Sequence, residues 1–225
     1  AWPIHEGGNI VGISRAEAGN VDEAFQECDY VFEDRYTTQA IHHAAIEPHV
    51  AIADFAPNGK LTVYSPCQNT FAFRVIMFRI FGLSYNKIRM VAPAIGGAFG
   101  GKLEVTVEPA AAVLSRMTGK PVKAEYNRKE SILSTRVRHA SVNYVKTGFM
   151  KDGTLKAVDF KVYTNTGAYA SSALNVSGAM SHKVFKAYKI DHMRFQCQPV
   201  YTNTEIAGAM RGYGSPQVYF GWQRQ

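Results

Sequence analysis

The distribution of apolar and polar residues predicts a chain of β-strands that is interrupted by helices. Short runs rich in Val, Ile, Phe and Tyr, several of them alternating with polar residues, mark the strands. Two of the intervening turns contain glycine after Asn or Asp, at Asn58-Gly59 and Asp152-Gly153, and such pairs favour tight hairpins. The predicted strands cover residues 30–39, 51–55, 60–65, 89–92, 121–124, 142–150, 155–165 and 192–201.

Helical spacing and end signals predict four helices between these strands. Asn20 with Glu23 three residues later is typical of a helix N-terminus, so a helix is expected to start near residue 20. Gly82 and Gly119 are typical of helix C-termini. The other predicted helices therefore cover residues 69–81, 108–117 and 215–222, whereas residues 1–19 are expected to be irregular.

This order of elements predicts an α+β (mixed α/β) fold rather than a doubly wound dinucleotide-binding sheet. The sequence has no internal repeat and no low-complexity linker, so we predict a single domain over residues 1–225. Within it, residues 1–45 are a candidate lead-in to a further N-terminal part. The first residue is not Met and the last follows directly on a predicted helix, which leads us to expect a segment of a longer polypeptide.

Composition narrows the class of protein. The 225 residues are 46% hydrophobic and 19% charged, as in an ordinary globular protein, and no apolar run approaches the roughly 20 residues that a membrane span needs. The net charge of +7 leaves a basic interaction or nucleic-acid-binding module as an alternative, although the basic residues are spread along the chain. Three separated cysteines, Cys28, Cys67 and Cys197, exclude an iron–sulfur or zinc-ribbon site on this segment and suit the cytoplasm.

The glycine-rich segment GGAFGGK at residues 96–102 is the strongest chemical signal. Its Gly96-x-x-x-x-Gly101-Lys102 spacing fits a phosphate-binding loop, which keeps a nucleotide-binding protein among the alternatives. That loop requires Ser or Thr next, to bind Mg²⁺, and Leu103 stands there instead. The glycines still allow backbone N–H groups to approach an anionic ligand closely.

Two further segments accompany this loop in a fixed order, SPCQNT at residues 65–70 and AMRGYGSPQ at residues 209–217. Together the three segments resemble the molybdenum-binding subunit of the molybdenum hydroxylases, the xanthine dehydrogenase and aldehyde oxidase family. The resemblance extends from about residue 20 to the end of the chain. It implies the α+β fold of that family's molybdenum-cofactor-binding domain and a molybdenum-pyranopterin cofactor, as molybdopterin or its cytosine dinucleotide form.

The resemblance also implies roles for individual residues. Gln68 matches the glutamine that hydrogen-bonds on the oxo side of the molybdenum, as an uncharged amide donor can. Phe99 and Gly100 match the loop that passes over the metal, and Arg211 matches the residue whose main-chain N–H lies near it. Gln68, Phe99 and Arg211 are therefore predicted to form the molybdenum environment, mostly through indirect or backbone contacts, and these three with Gly100 to bind the cofactor.

Leu103 and Tyr213 are the predicted substrate-pocket residues. Leu103 replaces the glutamate with which xanthine-specific members read a purine, and Tyr213 takes the place of an aromatic residue that packs on the substrate ring. The segment around Arg211 lacks the copper-bridging cysteine of aerobic CO dehydrogenases. N-heteroaromatic compounds (purine- or nicotinate-like) and aldehydes remain open as substrates.

The implied activity is that of an oxidoreductase that hydroxylates a C–H bond with oxygen from water. The family's general-base glutamate lies far downstream, so no catalytic residue is predicted in this segment, which is expected to be inactive alone. The resemblance implies 2Fe–2S and FAD on partner domains or subunits, the remaining molybdenum-domain segment, a small-molecule substrate and an oligomer in the cytoplasm. It implies neither nucleic acid nor a membrane as a partner. The histidines of HHAAIEPH at residues 42–49 are expected to be structural, because Pro48 disfavours one helix that carries them all.

Overall fold

The computed structural model describes residues 4–225, which form six α-helices and twelve β-strands. The helices are α1 (Val21–Gln26), α2 (Thr70–Phe81), α3 (Glu108–Thr118), α4 (Arg128–Ser134), α5 (Ala173–Ala187) and α6 (Ser215–Arg224), with one 3-10 turn at Tyr85–Lys87. The strands are β1 (Ser14–Ala18), β2 (Tyr30–Thr38), β3 (Ile41–His42), β4 (Val50–Phe55), β5 (Leu61–Tyr64), β6 (Ile88–Val91), β7 (Val122–Glu125), β8 (Val137–Arg138), β9 (Ser141–Phe149), β10 (Leu155–Gly167), β11 (His192–Tyr201) and β12 (Ala207–Gly208). The chain divides into two compact units, residues 42–136 and the remainder on either side of them.

The first unit, residues 4–41 with 137–225, is built on a five-stranded sheet in the order β1-β11-β10-β9-β2. Strands β9 and β10 form the predicted long hairpin, whose turn uses Gly153 at φ +88°. Strands β10 and β11 run parallel, and α5 supplies the crossover that a parallel pair requires. The buried face of this sheet packs on α5 and α6 around Phe160, Phe195 and Met180.

The second unit, residues 42–136, contains a four-stranded sheet in the order β6-β5-β4-β7. Strands β4 and β5 form the predicted antiparallel hairpin, and β5 pairs with β6 in parallel. Leu61, Val63 and Met77 are fully buried in the core of this unit. The hairpin and helices α2 and α3 thereby provide the scaffold for residues 65–70 and 96–103.

The predicted α+β class is confirmed, as are the eight predicted strands and four helices to within a few residues at their ends. Asn20 caps α1 as expected, because its Oδ1 accepts a hydrogen bond from Glu23 N at 3.4 Å. The prediction of an irregular segment over 1–19 was wrong where β1 pairs with β11, and residues 1–3 lie outside the described range. The pattern also missed α5, whose polar and small residues weaken the helical signal. The single-domain prediction over 1–225, with 1–45 as lead-in, stays a prediction.

Candidate functional site

The glycine loop of the second unit has an unusual backbone. Gly97 and Gly100 have φ values of +98° and +103°, a region that side chains rarely adopt. Phe99 between them has φ +53° although it carries a side chain, which costs about 1–2 kcal/mol. Phe99 also lies at the surface, where the residue is 46% exposed. A residue held in this way is a functional-site candidate.

Gln68 is joined to this loop by two hydrogen bonds. The Gly100 N–H donates to Gln68 Oε1 at 3.0 Å, and the Gln68 N–H donates to the Lys102 carbonyl at 2.9 Å. Because Oε1 is occupied, the Gln68 amide presents its NH₂ group, which has no hydrogen-bond partner among residues 4–225. The structure therefore brings Gln68 and Gly100 together and leaves an uncharged donor available to a ligand.

Lys102 is 3% exposed and its Nζ lies 2.5 Å from Glu47 Oε2. The same Glu47 oxygen accepts from Gly96 N at 2.9 Å. Burial alone would raise the pKa of the Glu47 carboxyl, but the hydrogen bonds from Lys102 and Gly96 outweigh it and the pKa is lowered. The Lys102 ammonium is therefore occupied by a carboxylate, which argues against the phosphate-loop alternative.

The three histidines of residues 42–49 have separate structural partners. His42 Nε2 lies 2.9 Å from Thr135 Oγ1, His43 Nδ1 lies 3.2 Å from the Arg136 carbonyl, and His49 Nε2 lies 3.0 Å from the Gly101 carbonyl. Within residues 4–225 no group of three His, Cys, Asp or Glu side chains is arranged to hold a metal ion. His49 supports the glycine loop, because only a protonated Nε2 can donate to the Gly101 carbonyl.

The first unit carries the second candidate loop, residues 209–214, with Arg211 and Tyr213. Gly212, Tyr213 and Gly214 have φ values of +90°, +45° and +94°, so three successive residues are in the left-handed region. The Arg211 side chain is exposed, whereas Tyr213 is half-buried and packs against the core of the first unit. The backbone of Arg211 is therefore accessible to a ligand, while Tyr213 attaches the loop to the core.

Two basic side chains that the sequence did not single out hold this loop by its carbonyl groups. Arg138 on β8 donates to the Arg211 carbonyl at 2.7 Å and to Gln217 Oε1 at 3.3 Å. Lys183 on α5 donates to the Gly212 and Tyr213 carbonyls at 2.6 and 3.3 Å. No local signal in the sequence connects either cation with a loop so far along the chain.

The predicted site residues thus fall into two groups. Gln68, Phe99, Gly100 and the half-buried Leu103 lie in the second unit. Arg211 and Tyr213 lie in the first. Within the second unit, a hydrogen bond joins Gln68 to Gly100. Within the first unit, Arg138 and Lys183 bind the carbonyl groups of the loop that carries Arg211 and Tyr213.

Comparison with known proteins identifies the family. A sequence model of the molybdopterin cofactor-binding domain matches residues 4–225. The chain is 37% identical over 221 residues to a putative xanthine dehydrogenase molybdenum-binding subunit of Escherichia coli K12, covering 98% of this chain and 29% of that protein. It is 37% identical to the nicotinate dehydrogenase large molybdopterin subunit of Eubacterium barkeri over 215 residues, 96% of this chain and 51% of that one.

The fold agrees with this family. The aldehyde oxidoreductase structure from Desulfovibrio gigas superposes with a TM-score of 0.88 at 29% identity, over 96% of this chain and 24% of that protein. The chain therefore belongs to the molybdopterin cofactor-binding domain family, as the three motifs predicted. It spans between about a quarter and a half of the length of these relatives. None of the helices within residues 4–225 has the length and apolarity to cross a membrane.

The chemistry of these residues fits an anionic cofactor with terminal oxygen atoms. Gln68 offers amide N–H donors, and the 209–214 loop offers backbone N–H donors. Arg138 is only 7% exposed, yet no carboxylate within residues 4–225 pairs with it or with Lys183. A buried cation that lacks a carboxylate is unfavourable alone and is compatible with a nearby anion.

Proposed function

We propose that Gln68, Phe99 and Gly100 contact the molybdenum cofactor of a hydroxylase of the xanthine dehydrogenase and aldehyde oxidase type. The observation that carries this proposal is the Gly100 N–H bond to Gln68 Oε1, which turns the Gln68 NH₂ outward as a neutral donor. An amide can hydrogen-bond an oxo group without adding charge to the site. Phe99, strained and exposed beside it, would exclude water from the bound group.

The same role is proposed for the loop around Arg211 in the first unit, through the backbone N–H of that residue. Arg211 N makes no hydrogen bond within residues 4–225, so it is available to a ligand oxygen. With Gln68 and Phe99 it would form part of the molybdenum environment. When bound, the molybdenum cofactor supplies the transfer of an oxygen atom from water to a C–H carbon.

Leu103 and Tyr213 are proposed to contact the substrate. Leu103 is apolar and Tyr213 offers an aromatic face, which suits a flat N-heteroaromatic ring or an aldehyde more than a densely hydrogen-bonded purine. The similarity to a protein named as a nicotinate dehydrogenase and to one named as an aldehyde oxidoreductase supports both classes. The general base would come from a part of the protein outside these 225 residues.

The whole enzyme is proposed to be an oligomer in the cytoplasm with 2Fe–2S and FAD groups on partner domains or subunits. These groups would carry away the two electrons that hydroxylation of a C–H bond releases. The remaining molybdenum-domain segment would complete cofactor binding, since this chain covers 29% of the Escherichia coli relative. The segment alone is expected to be inactive.

Elemental analysis of the complex purified from the native host through this chain tests the proposal. We expect stoichiometric molybdenum together with iron. Gln68→Glu should lower the molybdenum content, because it keeps the acceptor for Gly100 N–H but removes the NH₂ donor and adds a negative charge. Gln26→Glu, the same change on an exposed position of α1, is the matched control. A complete complex without molybdenum would reject the proposed function.

A further inference from the structure

The carbonyl groups of three successive residues in the 209–214 loop all point at cationic side chains. The Arg211 carbonyl accepts from Arg138 Nη2, and the Gly212 and Tyr213 carbonyls accept from Lys183 Nζ. Bonds from charged donors are shorter and stronger than those between neutral groups, and two of these measure 2.7 and 2.6 Å. Ser215 N and Oγ also donate to the Gly212 carbonyl, at 3.0 and 2.8 Å, whereas the Arg211 carbonyl accepts from Arg138. The direction of the Arg211 carbonyl is therefore set from outside the loop.

In a planar trans peptide the C=O of one residue and the N–H of the next point in opposite directions. Arg138 holds the Arg211 carbonyl and thereby turns the Gly212 N–H away from itself. The peptide between Met210 and Arg211 is fixed in a similar way. The Met210 carbonyl accepts from Tyr213 N at 2.7 Å, so the Arg211 N–H points away from Tyr213 N. Neither the Arg211 nor the Gly212 N–H has an acceptor within residues 4–225.

Successive backbone N–H groups form a concave site that favours an anion when they lie in a turn or where a left-handed residue follows a right-handed one. The N–H groups of Arg211 and Gly212 lie in such a turn, which Tyr213 N closes by donating to the Met210 carbonyl and in which Gly212 has φ +90°. The positive charges of Arg138 and Lys183, which have no carboxylate partner in the described part of the chain, add to the same field. The loop thus has the features of a backbone anion site, and Arg138 orients the peptide that carries the Gly212 N–H.

We propose that Arg138 is a positioning residue that directs the Gly212 N–H, beside that of Arg211, toward an anionic oxygen of the bound cofactor, with Lys183 holding the other half of the loop. This inference rests on the proposed function. It differs from that proposal because Arg138 and Lys183 act through the backbone and need not touch the cofactor.

The test uses the purified complex in which this chain carries Arg138→Met, Arg138→Lys or, as control, Arg15→Met on the exposed edge strand β1. We expect Arg138→Met to lower the molybdenum content of the complex, because loss of a residue that supports a metal site typically weakens metal affinity about 10- to 100-fold. Arg138→Lys, which keeps one charged donor, should restore part of it, and Arg15→Met should have no effect. The Mo(V) EPR spectrum of the fraction that retains metal should change in both Arg138 variants, since the Gly212 N–H would then point in a different direction relative to the cofactor.

Wild-type molybdenum content and an unchanged EPR spectrum in Arg138→Met would overturn the inference. A molybdenum content in Arg138→Lys that is no higher than in Arg138→Met would also overturn it. Absence of molybdenum from the wild-type complex would instead reject the proposed function. If Arg138→Met does not fold, Lys183→Met decides, with Lys186→Met on the exposed face of α5 as its matched control. Loss of molybdenum with Lys183→Met alone supports the inference, and equal retention in both variants overturns it.

Discussion

Side chains hold the backbones of the two candidate loops in different ways. In the second unit, side-chain acceptors bind two of the loop's N–H groups, since Glu47 accepts from Gly96 and Gln68 accepts from Gly100. His49 Nε2 also donates to the Gly101 carbonyl. In the first unit, cationic donors take the carbonyls, and the N–H groups of Arg211 and Gly212 have no acceptor within residues 4–225. A glycine-rich sequence thus does not by itself define an anion site. The side chains behind the loop decide which backbone groups it offers.

The largest expected effect concerns the ion pair behind the second-unit loop. Glu47→Gln leaves Lys102, 3% exposed, without a carboxylate, and should lower the free energy of unfolding by about 3 kcal/mol. Lys102→Met in the same chain should recover much of that loss, because it removes the uncompensated charge. Urea unfolding of the two single variants and the double variant measures the coupling. Additive effects would show that the pair does not hold this loop.

The next effect should be a pH dependence that arises in the first unit. Burial, and then the charge of Arg138, lower the pKa of His139 to about 4, and neither ring nitrogen has a partner within residues 4–225. The unfolded chain, with a His pKa near 6.5, binds the proton more readily, so this contribution to stability is complete above about pH 6.5 and is lost as the pH falls toward 4. The loss approaches about 3 kcal/mol.

His139→Gln tests this, because it removes the titrating group. Chemical unfolding between pH 7 and pH 4 should show a shallower decline for the variant than for the wild type. His182→Gln on the exposed part of α5 is the matched control and should leave the slope unchanged. Equal slopes for the wild type and His139→Gln would assign the acid sensitivity to other groups.

A pair of glycine substitutions compares the space behind the two loops. Gly97 and Gly214 have nearly the same φ, +98° and +94°, so Ala should cost about 1–2 kcal/mol of backbone strain at either position. A Cβ on Gly97 would meet Phe99 Cε2 at 3.4 Å, an ordinary contact, but on Gly214 it would lie 2.6 Å from Met180 Cγ. Gly214→Ala should therefore be more destabilising by about 1–3 kcal/mol. Thermal unfolding measures the difference, and equal losses would mean that Met180 relaxes without cost.

The smallest effect should come from Gln68→Ala. Gln68 is exposed, so losing its bond to Gly100 N should lower the free energy of unfolding by less than about 1 kcal/mol. Gln26→Ala on α1 is the control for removing an exposed amide. A loss of several kcal/mol would mean that Gln68 is a structural residue, and a small one leaves it free for the proposed role in cofactor binding.

Local pattern was sufficient for most of the fold. The β9–β10 hairpin follows from alternation and an Asp-Gly turn, and α3 from apolar spacing and the C-terminal Gly119. Helix α5 was missed because Ser177, Gly178 and Ser181 weaken its intrinsic helix propensity. Val176, Met180 and Val184, spaced by four residues, bury its inner face on the sheet, so packing rather than propensity forms this helix.

The sequence by itself determined the family, because three short motifs in a fixed order identify it and each motif can be recognised from adjacent residues alone. It also indicated the turns and helix ends at Gly59, Gly82, Gly119 and Gly153, all of which have positive φ. Only the tertiary structure decided the direction in which each loop presents its backbone. Arg138 and Lys183 lie 73 and 29 residues before their acceptors, and Glu47 lies 55 before Lys102. Such pairings arise when the sheets and helices assemble, since hydrogen bonding to a distant carbonyl leaves no period or motif in the sequence.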